Sequence, residues 1–228
     1  MIELDYQIVR SPKRKKLTIT VERDRAIIVH APERTSEEEV RRVVDSKRQW
    51  ILDKLRHPQK YQDRPHPPGK EVVNGESAPY LGTDYRIEVA ETDSGEIEFS
   101  RLFLVPAARQ AKRREVLRDW YVARAEETIL SRVEKHARDL GVEFSAAKIV
   151  HNRYRWGSCT VNDTVSFNWR LIKAPMFVID YVIVHELAHL IESNHTARFW
   201  NIVRANTPTM EKAKAWLKEN GQILEEEV

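Results

Sequence analysis

The chain has 228 residues, enough to bury a substantial core and short enough for one domain or two small ones. Lys and Arg number 38 against 35 Asp and Glu, a formal charge of +3 with the signs interspersed, which argues against nucleic acid as the main partner. The single cysteine, Cys159, excludes an intramolecular disulfide and a multi-cysteine zinc site, so histidines must carry any metal.

No apolar run approaches the roughly 18 residues of a membrane span. Met1 to Asp5 lacks the basic and apolar regions of a signal peptide, so the expected location is the cytoplasm, away from any membrane. From the first residues, Leu17 to Val21 alternates, Glu22 to Arg25 predicts a turn and Ala26 to Val29 resumes, so a hairpin is the simplest account. The basic run Lys13 to Lys16 reads as a solvated strand end that discourages edge pairing.

A helix is predicted over 36–56, with Ser36 and Glu39 in capping-box spacing and Val40, Val43, Val44, Trp50, Ile51 and Leu55 as its apolar stripe. Five prolines or glycines between His57 and Lys70 mark a linker, where His57 and His66 read as loop residues. Strands are expected at Val72-Val73, Tyr85 to Val89 and Ile97 to Val105, with turns at Asn74-Gly75 and Ser94-Gly95. Pro106 opens a long helix to about Leu140, capped by Gly141, with His136 expected exposed. The fold class read from this order is α+β. A mostly antiparallel β-rich region with one helix, 1–105, precedes a helical domain with a small sheet, 106–228.

In that second region Ile149-Val150 and Val165 to Leu171 read as strands, and an extended peptide could pair along the edge of the second. Between them lies Tyr154-Arg155-Trp156-Gly157-Ser158-Cys159. Next comes a helix over 175–193, carrying Val184-His185-Glu186-Leu187-Ala188-His189-Leu190 among apolar residues at helical spacing. Residues four apart share a helix face, so His185 and His189 can reach one ion about 2.0–2.1 Å from each ring. Glu186 is one step round the helix, within reach of a metal-activated water as a general base. Helices at 196–205 and 208–220 follow, the latter ending at Gly221.

Zinc in a catalytic site usually has three protein ligands. His195 is one candidate for the third and Glu211 the other. His195 needs the shorter turn, which Asn194 could make in a left-handed conformation. The spacing His185, His189, His195 also fits the metzincin pattern, but Glu192 stands where that pattern has glycine. Arg155 can stabilise an anionic intermediate or pair with Asp180, and Gly157 can let a backbone N–H approach the reacting group. Trp156 reads as core or substrate contact, Tyr154 and His151 as weaker oxyanion partners, and Cys159 as a small buried residue.

Arg155 to Cys159, Phe167 to Leu171, Val178 to Leu190, Asn194-His195 and Phe199-Trp200 together resemble the YgjP-like zinc metallopeptidases, more distantly related to SprT-like proteases. The resemblance implies a zincin-like fold, zinc as cofactor, His185, His189 and His195 as its ligands and Glu186 as the catalytic base. A peptide or protein substrate is then expected. The same site could instead serve a nucleotide phosphoanhydride gripped by Arg153, Arg155 or Arg170. A third reading is a binding module with structural zinc, which normally has four protein ligands.

Overall fold

The computed structural model describes residues 4–21, 25–55, 71–91, 95–152 and 155–225. The expected linker around Pro65 and turn at Glu22 to Asp24 lie outside the described residues, as do Ser94, Arg153 and Tyr154. The chain packs as two compact units, Met1–Pro67 and Pro68–Val228. The division therefore falls earlier than residue 105, and the middle strands share a unit with the motif helix. Their side chains explain this, because Ile87, Phe103 and Val105 are buried in the same core as Tyr121, Phe167 and Ile183.

In the first unit β1 (Gln7–Ser11), β2 (Thr18–Val21) and β3 (Ile27–Pro32) form a sheet ordered β1-β3-β2. The expected hairpin is β2 against β3, antiparallel, while β1 adds in parallel to the other side of β3. Ile27, Val29 and Ala31 of β3 alternate inward and meet Val40, Val44 and Ile51. Lys13, Arg14, Lys15 and Lys16 are exposed between β1 and β2. The single helix expected over 36–56 is two, α1 (Glu37–Ser46) and α2 (Arg48–Leu55), broken where Lys47 leaves the helical region at φ −104°, ψ 8°. Ser36 caps α1 by accepting the Glu39 N–H at 3.2 Å.

The second unit opens with β4 (Ser77–Tyr80), β5 (Thr83–Ala90), β6 (Glu98–Phe99) and β7 (Phe103–Pro106), ordered β4-β5-β7-β6. Val72-Val73 is not a strand: the Glu76 carboxylate accepts both of its backbone N–H groups, at 2.7 and 3.1 Å, and Val72 takes φ +59°. A 3-10 segment (Ala107–Lys112) then leads into α3 (Arg113–Ala125), a π turn (Glu126–Leu130) and α4 (Ser131–Leu140), with Gly141 left-handed at the C-terminal end.

Next come β8 (Ala146–Val150), β9 (Gly157–Cys159) and β10 (Thr164–Asn168), in the order β8-β10-β9. β10 is central, so the strand expected to offer an edge to a peptide has none, and β9 is an edge instead. β10 also stops at Asn168 rather than Leu171, because the Asn168 side chain accepts the Arg170 N–H and starts a 3-10 turn, Trp169–Lys173. The last elements are α5 (Met176–Ala188), α6 (Ala197–Asn206) and α7 (Met210–Glu225). α7 runs through Gly221 rather than ending there. The architecture is α+β, each sheet mixing parallel and antiparallel pairs, and no helix among the described residues is long and apolar enough to cross a membrane.

The β4–β5 turn fixes the entry to α5. Leu81 and Gly82 donate their N–H groups to Ile172 and Lys173, and the Tyr121 hydroxyl donates to Pro79 O at 2.7 Å. Gly82 sits at φ +83°, and a Cβ there would lie 2.5 Å from Pro175 Cγ, so only glycine lets the turn close on the proline that opens α5.

Candidate metal centre

α5 is apolar round its whole circumference, and Val178, Ile179, Ile183, Val184, Leu187 and Ala188 are fully buried. A helix covered on every side needs no polar face. Its polar residues His185, Glu186 and His189 therefore lie in or near the interior, where ionisable groups require partners. α5 ends at Ala188 with His189 as its cap, and the N–H groups of His189, Leu190 and Ile191 reach back three residues to the carbonyls of Glu186, Leu187 and Ala188.

The chain then reverses and delivers His195. Asn194 is not left-handed, contrary to expectation: the tightened last turn and the Thr196 N–H to Asn194 O bond, 2.7 Å, make the reversal. That removes the need for glycine at Glu192. Thr196 caps α6 by accepting the Phe199 N–H, which fixes where α6 starts after His195.

Nε2 of His195 lies 3.1 Å from Nε2 of His185, and its ring centre is 4.7 Å from that of His189. One donor nitrogen from each of the three rings lies within 4.8 Å of the others. Buried Phe199 lies under all three, with ring centres 4.5 to 5.0 Å away. Burial, then the neighbouring His189 and His195, pushes His185 down to about 3. Burial and His195 likewise hold His189 below its ordinary value. Both rings are neutral near pH 7 and keep a lone pair to donate. His189 Nδ1 donates to the Glu192 carbonyl at 3.3 Å, which leaves Nε2 as its lone-pair nitrogen.

Two imidazole nitrogens turned toward one another at 3.1 Å need a proton or a cation between them. A tetrahedral zinc about 2.0–2.1 Å from each ligand sets two nitrogens about 3.3–3.4 Å apart. Three imidazole nitrogens with no sulfur suit such a borderline divalent ion. The donor set fits.

Glu186 is buried against Gly157 of β9. Burial outweighs the opposing pull of the exposed Arg155 guanidinium and leaves its carboxyl raised to about 7. Trp156 is half-buried against the core, facing Gly221 of α7. Cys159 is half-buried on β9, its thiol pushed up by burial and then by Glu186 and Asp163. His151 accepts the indole N–H of Trp169 at 3.3 Å. Arg170 is buried over the Trp169 ring, 4.6 Å from its centre. Glu211 is 70 % exposed and paired with Lys214 at 3.3 Å.

Asp180 does not pair with Arg155. It receives Arg132 at 2.5 and 2.6 Å and His136 at 3.1 Å, so His136 is half-buried on the α4–α5 interface rather than exposed. Burial pushes the Asp180 carboxyl up, but the hydrogen bonds from His136 and Arg132 and the Arg132 charge outweigh it and hold it below the ordinary value.

Two residues gain roles that their sequence positions do not announce. Asn168 donates through Nδ2 to the carbonyls of Asn152 and Arg155 and through its backbone N–H to Trp156 O, folding the loop that brings Gly157 to Glu186. Tyr181, one turn before His185, has its ring centre 5.9 Å from that imidazole. Its hydroxyl is pushed up to about 12, by burial first and then by Glu211 and Glu186. A polar residue at the end of an apolar strand was the available signal for Asn168, and the i, i+4 spacing for Tyr181.

Residues 15–220 match the family described as YgjP-like, metallopeptidase domain. The chain belongs to that family. It is thereby a metallopeptidase-like hydrolase. No curated protein matches the chain. Two solved structures are similar to part of it. The metallopeptidase zymogen abylysin of Pyrococcus abyssi is 22 % identical over 39 % of this chain and 87 % of its own, with a TM-score of 0.34. The metallopeptidase zymogen jannalysin of Methanocaldococcus jannaschii is 19 % identical over 40 % and 94 %, also at 0.34.

Proposed function

We propose that the chain is a zinc-dependent peptide hydrolase in which His185, His189 and His195 hold the ion and Glu186 is the general base. The observation that supports it most is the convergence of three imidazoles beside a buried carboxylate, one residue from the first of them. Zinc bound there supplies Lewis acidity toward a carbonyl and lowers the pKa of water. Glu186 takes the proton from the attacking water and passes it to the departing amine. Its burial suits both halves of that task, because it keeps the acid and base forms close in energy near neutral pH.

β9 then has a role of its own. Among the described residues it pairs along one edge, with β10 through Gly157, Ser158 and Cys159, and it lies against α5. An extended peptide adding to its outer edge would run past Glu186, with Arg155 at the strand's start. Hydrolysis of a nucleotide phosphoanhydride is the less favoured reading, because Arg170 is buried against Trp169 and Arg155 is exposed alone of the two described arginines weighed for that grip.

The test is metal analysis of protein purified without added metal, followed by a screen of peptides and nucleotides against the wild type and Glu186→Gln. The expected result is about one zinc per chain. Glu186→Gln should retain zinc and lose about 10²- to 10⁴-fold in peptide hydrolysis. Protein that cannot be loaded with zinc, or an undiminished rate in the variant, overturns the reading.

A further inference from the structure

The three histidines are not held alike. His185 Nδ1 is buried without a hydrogen-bond partner and its ring is held by packing on α5, while His189 is oriented by its bond to the Glu192 carbonyl. His195 is exposed on an irregular segment, and among the described residues its Nδ1 has no hydrogen-bond partner. A ligand imidazole usually has its second nitrogen fixed by a carboxylate, a carbonyl or water, which sets both ring orientation and tautomer. His195 lacks a protein group of that kind.

What it has instead is an aromatic wall. The Trp200 indole lies face to face with the His195 ring, 23° from parallel and 5.4 Å between centres, while Phe199 meets the same ring edge-on at 4.7 Å. The indole is itself held from α7, where Lys214 Nζ lies 5.1 Å from its centre and Glu211 pairs with Lys214. A cation over an indole face is attracted to it and favours the rotamer that keeps the ring there.

We propose that Trp200 is the positioning residue for His195, and that stacking on the indole replaces the missing hydrogen bond in aiming its Nε2 at the point shared with His185. This rests on the three-histidine reading of the site. The stack restricts tilt of the ring out of its plane, and Phe199 blocks sliding along the indole. Together they leave the exposed loop little freedom in the direction of Nε2, so metal binding loses less entropy.

The experiment measures zinc affinity by chelator competition in the wild type, Trp200→Phe, Trp200→Leu and Trp200→Met, with the absorption of the cobalt-loaded forms as a readout of coordination. Trp200→Leu and Trp200→Met keep an apolar side chain but no flat face, and should weaken zinc binding about 10- to 100-fold, the range for lost ligand support. Their cobalt spectra should move away from a tetrahedral band. Trp200→Phe keeps a ring and should stay within about threefold of the wild type, since any aromatic face can carry the stack. Wild-type affinity in a folded Trp200→Leu overturns the proposal, as does failure of every non-aromatic variant to fold, which would make Trp200 a residue of the fold. A wild type that binds no zinc overturns the metal reading itself, which separates the two failures.

Discussion

Gly157 of β9 and Glu186 of α5 approach so closely that a Cβ on Gly157 would lie 2.6 Å from Glu186 Cγ and 2.8 Å from its Oε1. Real Cβ atoms do not come that near. Glycine at 157 is therefore what lets the edge strand lie beside the carboxylate, and a methyl group there must push one of them away. Because α5 is buried on all sides, the Glu186 side chain or β9 has to yield rather than the helix. Gly157→Ala should keep its zinc, since no imidazole touches that position, and lose roughly 100-fold in hydrolysis through displacement of the acid by about 1 Å. Zinc content and peptide turnover measured on the same sample decide it, and unchanged turnover would falsify this account.

The third ligand is open to a direct comparison. His195→Ala should weaken zinc affinity by more than about 100-fold, beyond the range for outer-shell support. Glu211→Ala should stay within about twofold, because its carboxylate is 70 % exposed and paired with Lys214 outside the imidazole cluster. Chelator competition on both variants gives the ranking. The reverse order would transfer the ligand role to the carboxylate.

Asn168 uses both ends of its amide, accepting from Arg170 N and donating to the carbonyls of Asn152 and Arg155. Asp has the same shape and no N–H. Asn168→Asp would set a carboxylate oxygen against two carbonyls, at a cost of about 1–3 kcal/mol for the unmet groups alone. Denaturant unfolding should show that loss, and a variant as stable as the wild type would mean the loop holds itself.

Asp180 gives a pH dependence with a definite sign. Its folded-state carboxyl lies below the unfolded value of about 3.9. A depressed carboxylate contributes stability that is full above the unfolded value and is lost as pH falls through the folded one. Asp180→Asn should cost roughly 1–3 kcal/mol at pH 7. The gap from wild type should then close steadily below about pH 4. Unfolding free energies at several pH values test this, and a gap constant from pH 7 to pH 3 rules it out.

Much of this protein was legible in its sequence because the signals are local. Helical spacing put His185 and His189 on one face, Ser36 and Thr196 announced helix starts, and Gly141 an end. The five motif segments pointed to the family. Pairing was not legible in the same way, since strand order depends on contacts far apart in the chain. The segment Val165 to Leu171 read as a possible edge, and only the insertion of β10 between β8 and β9 made it central and passed the edge to β9. The residues left Arg155 a choice between an anionic intermediate and Asp180, and only the packing of α4 alongside α5, which brings Arg132 and His136 to Asp180, removes the second. The closeness of Gly157 to Glu186 and the stacking of Trp200 on His195 belong to this second kind. Spacing along a chain fixes which side chains share a helix face, whereas the side chain met across a packed interface is set by how whole elements fill space.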